Sequence, residues 1–311
     1  MVSGQYIKEC ARSVGFHACG IAEASALSDF DSTLQSWLSH GYNADMQYMQ
    51  RNSDKRVDPR LLYPGAKCVI SVLVSYMPDR TIDGPFKIAR YAYSEDYHLR
   101  LKRMLFEFIE AIKKRYPDFN ARPFVDTAPI SDKRWAAAAG LGWIGRNTLL
   151  VSPQYGTFCN IGELVSESEV DCYDRPIENG CKGCELCVRS CPNQALICVD
   201  GRYMLNASRC IAYNTIENRD EELPETLCTS DYVFGCDICQ EVCPHNQHVP
   251  AGMQVSDEKI DRLQHLVEAD EEEFNAVIRD TPLSRINYNQ WKRNIGKATS
   301  RSGSPSRALQ S

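Results

Sequence analysis

The spacing of apolar positions changes several times along the chain, and each change marks an element. Residues 5–16 and 30–40 repeat apolar side chains three and four apart, as amphipathic helices do. CVISVLVSY (68–76) is apolar and β-branched throughout, which predicts a buried strand. In LRLKRMLFEFIEAIKKR (99–115), Leu101, Met104, Leu105, Phe108, Ile109 and Ile112 share one helical face, and Pro117 stops the helix. ARPFVDTAP (121–129) predicts a strand entering a loop. SDKRWAAAAGLGWIG (131–145) predicts a capped, alanine-rich helix and then a glycine-rich turn. NTLLVSP and GTFCNIGELVS (147–153 and 156–166) predict a hairpin. Residues 1–170 thus read as one α/β domain of mixed strand order.

Residues 171–250 lose this periodicity and become rich in cysteine and proline. Residues 257–280 hold nine acids and predict a solvated helix plus linker. Residues 281–311 carry Arg285, Lys292, Arg293, Lys297, Arg301 and Arg307 but no acid, which predicts a basic tail. Its end, RSGSPSRALQ (301–310), has a disordered composition. The expected organisation is therefore 1–170, 171–250 and 251–311, with α+β content.

A formal charge of −6 means that binding of nucleic acid would need a local basic patch. The start, MVSGQYIKECARSVGF, has no apolar leader core and no twin arginine, and no apolar run is long enough to span a bilayer. A cytoplasmic protein without membrane contact is expected. Fifteen cysteines are then too many for disulfides in a reducing compartment, and seven of them fall in two short runs.

The first run, CKGCELCVRSCP (181–192), has the C-x2-C-x2-C-x3-C-P spacing of bacterial ferredoxins. There, three cysteines wrap one 4Fe–4S cubane and the fourth serves the other. A zinc knuckle would explain one CxxC pair but not the third cysteine and the Cys-Pro. The second run, CDICQEVCP (236–244), lacks its first ligand, because Val233 stands there. By the crossover rule, cluster one takes Cys181, Cys184, Cys187 and Cys243. Cluster two takes Cys191, Cys236, Cys239 and one outsider, for which Cys198, Cys210 and Cys228 are candidates. Cys10, Cys19, Cys68 and Cys159 lie in apolar surroundings and read as core thiols.

Residues 1–170 contain no dinucleotide or P-loop fingerprint. GLGWIGRNTLL (140–150) could let backbone approach a large flat ligand, or simply pack a turn. KRVDPRLLYPGAK (55–67) reads as a solvated turn. FKIARYAYSEDYH (86–98) interleaves cations with aromatics, as single-stranded nucleic-acid binders do, although a half-buried strand is the commoner meaning. Asp126 follows a strand. Facing an apolar cofactor it would have its pKa raised and could donate a proton; a turn or capping aspartate is the plain alternative.

Five stretches in order resemble the epoxyqueuosine reductase family: DKRVDPRLLYP (54–64), FVDTAPISDKRWAAAAGLGWIGRNTLL (124–150), CKGCELCVRSCPNQAL (181–196), SRCIAYNTIE (208–217) and FGCDICQEVCP (234–244). The resemblance implies a cobalamin-binding catalytic domain similar to that of reductive dehalogenases, followed by a ferredoxin-like domain with two 4Fe–4S clusters. It implies reduction of epoxyqueuosine to queuosine at the wobble position of tRNA, with the anticodon stem-loop as partner. It makes Cys210 the outside ligand of cluster two and Asp126 the proton donor. Arg56, Leu150, Ser152 and Ile161 become cobalamin contacts, with Asp237 a weaker one, and Tyr97 and His98 line the site. No D-x-H-x-x-G motif is present, so a lower histidine ligand to cobalt is not expected. Ala212 replaces an expected serine, which removes one hydrogen bond near the cofactor. A flavodoxin or ferredoxin system is the expected electron donor, and a monomer the expected state. Longer family members add a helical-repeat domain that this sequence lacks, so tRNA contacts are expected from the core and the basic tail. A corrinoid reductase of a small organohalide is the competing function.

Overall fold

The computed structural model describes residues 1–299. The first part of the chain runs α1 (Gly4–Val14), β1 (Ala18–Glu23), α2 (Ser28–Ser39), α3 (Ser53–Val57), α4 (Pro59–Leu62), β2 (Cys68–Ser75) and β3 (Lys87–Ile88). It continues with α5 (Tyr97–Lys113), β4 (Ala121–Phe124), α6 (Asp132–Ala138), β5 (Trp143–Ile144), β6 (Leu150–Val151) and β7 (Cys159–Ser166). Four of these strands form an antiparallel sheet in the order β1-β2-β7-β4. All eight residues of β2 are buried, because helices cover both faces of the sheet and leave no wet side. On one face α1 and α5 pack through Ile7, Leu101, Leu105 and Phe108. On the other, Trp135 of α6 meets Val69, Phe124 and Val165. The end of α6 comes so close to β1 that any side chain at Gly20 would strike the Ala139 carbonyl.

The predicted hairpin of residues 147–166 forms differently. Trp143 pairs with Val151 and Ile144 with Leu150, so β6 takes β5 as its ladder partner. Strand β7 instead enters the centre of the sheet, where Glu163 lies opposite Ser71. Its apolar face is better buried there than in a two-stranded ribbon. Residues 55–67, expected as a solvated turn, form the short helices α3 and α4. Asp58 caps α4 by accepting from the Arg60 backbone N–H at 3.0 Å, and Pro59 occupies the first turn. The segment 86–98 is a strand only at Lys87–Ile88, after which a single 3₁₀ turn leads to α5.

The cysteine-rich part holds α7 (Leu186–Arg189), β8 (Leu196–Val199), β9 (Arg202–Leu205), α8 (Ile211–Ile216), β10 (Tyr232–Phe234) and α9 (Ile238–Glu241). Strand β10 pairs in parallel with β3 and so ties this part to the first. The described residues end with α10 (Asp257–His265), α11 (Glu271–Ile278) and α12 (Tyr288–Thr299).

Those last helices correct the reading of a solvated helix, linker and tail. Phe274, Ile278, Leu283 and Trp291 join Val233 and Phe234 in one core. The acids that dominate the pattern are mostly helix starts: Asp270 and Glu273 form a capping box, and Glu271 and Glu272 fill the first turn, where negative charge meets the positive helix end. Trp291 is fully buried and donates to the Leu266 carbonyl at 2.9 Å. Asn294 donates to the carbonyls of Thr215 and Val233, both at 2.9 Å. The predicted disorder at 301–310 falls outside the described residues. Trp291→Ala is expected to cost about 3–5 kcal/mol, read as a shift of the denaturant midpoint. A shift worth under ~0.5 kcal/mol, the range of a surface substitution, would restore the solvated picture.

Candidate active site and cluster centres

The start of α5 and the loop leaving β4 meet at Asp126. Asp96 caps α5 by accepting from the His98 backbone N–H at 2.9 Å, and the same oxygen lies 2.7 Å from His98 Nδ1. The other ring nitrogen, Nε2, is 3.2 Å from Asp126 Oδ2, and the Tyr97 hydroxyl donates to that oxygen at 2.9 Å. The rings of Tyr97 and His98 stack at 4.0 Å. Asp126 adopts φ 52°, a left-handed conformation that costs energy in a non-glycine residue and aims its carboxylate at this pair.

The electrostatics correct one expectation. The His98 hydrogen bond holds the Asp126 carboxyl below the usual range; burial works the other way without prevailing, and Tyr97 adds to the lowering. His98 moves upward: burial opposes its charge, but hydrogen bonds to Asp126 and Asp96 outweigh that. Both shifts favour the charged pair, with the His98 ring set between two carboxylates.

Around this pair stand groups that sequence reasoning missed. Burial, together with the charge of Asp126, pushes Asp132 up to about 8. Tyr48 and Arg285 also lie within electrostatic reach of Asp126. Arg285 comes from the segment between α11 and α12 and grips Glu217 through both carboxylate oxygens at 3.0–3.1 Å. Spacing gives no signal for Arg285, because it lies 159 positions from Asp126 (285 − 126). Asp96 was legible only as part of the stretch DYH.

Of the predicted cofactor contacts, Arg56 donates to the Tyr48 carbonyl at 3.2 Å, and its Nε is buried without a partner. Leu150 and Ile161 share one apolar cluster with Leu73 and Leu141. Ser152 is buried, paired through its backbone with Gly156. Asp237 is different. Its two oxygens accept from the Arg90 backbone N–H at 2.7 Å and from Gln240 Nε2 at 2.9 Å, so it braces the turn after β3 against the second cysteine run. Among the described residues, Asp132 Oδ1 and Asn147 Nδ2 are also buried without partners.

The cysteines separate into two groups. Cys181, Cys184, Cys187 and Cys243 line one cavity of about 30 Å³, with Val151, Leu186 and His245. Among the described residues, no three acid, cysteine or histidine side chains converge tightly enough for a single metal ion. Four thiols around a cavity are instead the arrangement that a cubane takes. In the second group, burial raises Cys236 and Cys239, and each lies within electrostatic reach of Cys210; Cys191 perturbs Cys210 and Cys236. Cys198 is exposed on β8, and the Cys228 sulfur meets Ser230 Oγ at 3.6 Å. All fifteen cysteines are free, with Cys10 and Cys68 buried and Cys19 and Cys159 partly so.

Family models match two stretches: epoxyqueuosine reductase QueG, DUF1730 over residues 56–127, and the 4Fe-4S double cluster binding domain over residues 180–246. The epoxyqueuosine reductase of Cellulophaga algicola is 38% identical over 297 residues, covering 93% of this chain and 95% of its own. That of Synechocystis sp. is 38% identical over 292 residues, covering 88% and 98%. The chain belongs to the epoxyqueuosine reductase family. Family membership makes it an oxidoreductase, and its second domain is of the double-cluster 4Fe–4S type. The fold agrees: the epoxyqueuosine reductase of Streptococcus thermophilus superposes with a TM-score of 0.84 at 27% identity, covering 95% of this chain and 80% of that one. A family member crystallised with an epoxyqueuosine-modified tRNA-Tyr stem loop gives 0.79 at 26% identity, covering 94% and 79%.

Two predictions follow from this geometry. Cys210→Ala is expected to lose one cluster and keep the other, so iron per chain falls by about half in an iron assay of the reconstituted protein. Full retention of iron would move the fourth ligand to Cys198 or Cys228. The His98 ring is expected to titrate above 6.5 by nuclear magnetic resonance, and Asp126→Asn to lower that midpoint. Because the folded His98 value is the higher one, its contribution is present below pH 6.5 and is lost as pH rises through the folded value; because the folded Asp126 value is the lower one, the pair is also lost as pH falls through that value.

Proposed function

We propose that this chain reduces epoxyqueuosine to queuosine at the wobble position of tRNA, as a cytoplasmic monomer, with electrons passing through two 4Fe–4S clusters to a bound cobalamin. The single observation that carries the reading is the Asp96–His98–Asp126 chain, a ready proton source in a chain of this family. The expected division stands as part of the proposal: a catalytic domain over 1–170, a two-cluster domain over 171–250, and a C-terminal part from 251 to 311.

The residues fit the cofactors. Leu150 and Ile161 offer an apolar wall, while Arg56 Nε and Asp132 Oδ1 are buried polar atoms awaiting partners near Asp126. An apolar face with polar groups at its edge suits a macrocycle whose rim carries amides. Arg56, Asp126, Leu150, Ser152 and Ile161 would hold it, and Asp237 would act only through the turn it braces. When bound, cobalamin supplies a strongly nucleophilic, two-electron centre; the clusters supply single electrons. Cys181, Cys184, Cys187 and Cys243 would hold cluster one, and Cys191, Cys210, Cys236 and Cys239 cluster two. A flavodoxin or ferredoxin would deliver the electrons.

Turning an epoxide into an alkene and water consumes two electrons and two protons. The departing oxygen must be protonated, because an alkoxide is costly in a dry site. Asp126 would do this, a reading supported by its hydrogen bonds to His98 and Tyr97. Its proton is drawn from His98 Nε2, while Asp96 holds the opposite ring nitrogen and fixes the ring. Tyr97 donates to Asp126 and keeps its carboxylate oriented. Tyr48 and Tyr97 supply aromatic faces for an unstacked base, and Arg56 and Arg285 supply positive charge for the sugar–phosphate chain. Among the described residues no helix is long and apolar enough to cross a membrane.

Asp126→Ala is expected to retain iron and cobalamin, read by absorbance, and to slow single-turnover formation of queuosine in tRNA by about 10²–10⁴-fold, the worth of general acid catalysis. An unchanged rate removes Asp126 from the mechanism. No conversion by the fully loaded wild-type protein removes the function.

A further inference from the structure

The cavity lined by the first cysteine group is walled on one side by the β5–β6 hairpin of the catalytic domain. Trp143, on β5, is buried, and its indole Nε1–H donates to Cys181 Sγ at 3.4 Å. The ring is locked in place. His245 packs edge-on at 4.9 Å, and a side chain at Gly180 would come to 2.6 Å of the indole, so the backbone just before Cys181 lies flat against it. Two further bonds join the same hairpin to the same loop. Asn179 Nδ2 donates to the Ile144 carbonyl at 3.3 Å, and Arg146 donates to the Lys182 carbonyl at 2.8 Å.

We propose that Trp143 sets the reduction potential of cluster one. Here the Cys181 thiol stands in for the iron-bound thiolate. A neutral donor aimed at a ligand sulfur disperses negative charge, and it does so most in the reduced cluster, which carries one more electron. The indole therefore raises the potential, making cluster one easier to reduce. The effect is local: in the second group the Cys191 sulfur accepts from the Ala195 backbone N–H at 3.3 Å, a bond that no side-chain substitution removes. The proposal rests on Cys181 being a ligand, but not on the tRNA reaction, so it can fail or hold independently of that reading.

The test is a redox titration of reconstituted Trp143→Phe, followed by electron paramagnetic resonance. The midpoint of cluster one is expected to move to more negative potential while that of cluster two stays in place. In the wild-type protein with an isotopically labelled indole nitrogen, electron–nuclear double resonance is expected to detect that nitrogen coupled to reduced cluster one. An unmoved midpoint overturns the proposal. So does a shift of both clusters together, which marks mere loosening of the loop, and so does the absence of coupling in the wild-type protein.

Discussion

On the proposed ligand sets, two cubanes held by interleaved runs of one chain impose a strict condition. Neither cysteine run then completes its own site. Cys191 of the first run stands with Cys236 and Cys239 of the second, while Cys243 returns to the cavity of Cys181, Cys184 and Cys187. Everything between residues 181 and 243 must therefore fold as one crossing. The supporting structure serves this crossing. Strand β10 is pinned by β3 on one side and by Asn294 of α12 on the other, and Asp237 braces the second run against the turn that leads to α5. That turn in turn fixes where Tyr97 and His98 begin their helix. Cluster geometry and acid–base geometry are thus set by the same few contacts.

The proposed mechanism lets an ionised carboxylate serve as an acid. The hydrogen bond from His98 lowers the Asp126 carboxyl, while the His98 ring, flanked by Asp96 and Asp126, is raised. His98 and Tyr97 both meet the same carboxylate oxygen and so order Asp126.

Much of the fold was legible because its signals are local. The six apolar residues read from 99–115 are the buried face of α5, and the run at 68–76 is the central strand. The cysteine spacing named seven candidate ligands, since a cubane dictates short intervals. What spacing could not supply was an eighth candidate, and tertiary packing brings Cys210 within electrostatic reach of Cys191. The 147–166 hairpin was misread because strand pairing depends on which partner buries more surface, and the partner that β7 takes, β2, is distant in sequence: Ser75 stands opposite Cys159, 84 positions later (159 − 75 = 84). The acidic stretch at 257–280 was misread because acids at helix starts look, in composition, like acids on a solvated face. Arg285 was invisible as a neighbour of Asp126 because nothing local connects the two positions.

The position of α12 has a consequence for synthesis. Cys210 opens α8, and that helix is held by Arg293, which donates to the Asn214 carbonyl at 3.1 Å, and by Asn294, which donates to that of Thr215. Arg293 and Asn294 lie about fifty positions beyond Cys243, the last cysteine of the two runs (293 − 243 = 50). A growing chain therefore holds both cysteine runs before it holds the two residues that fasten α8, the helix that Cys210 opens.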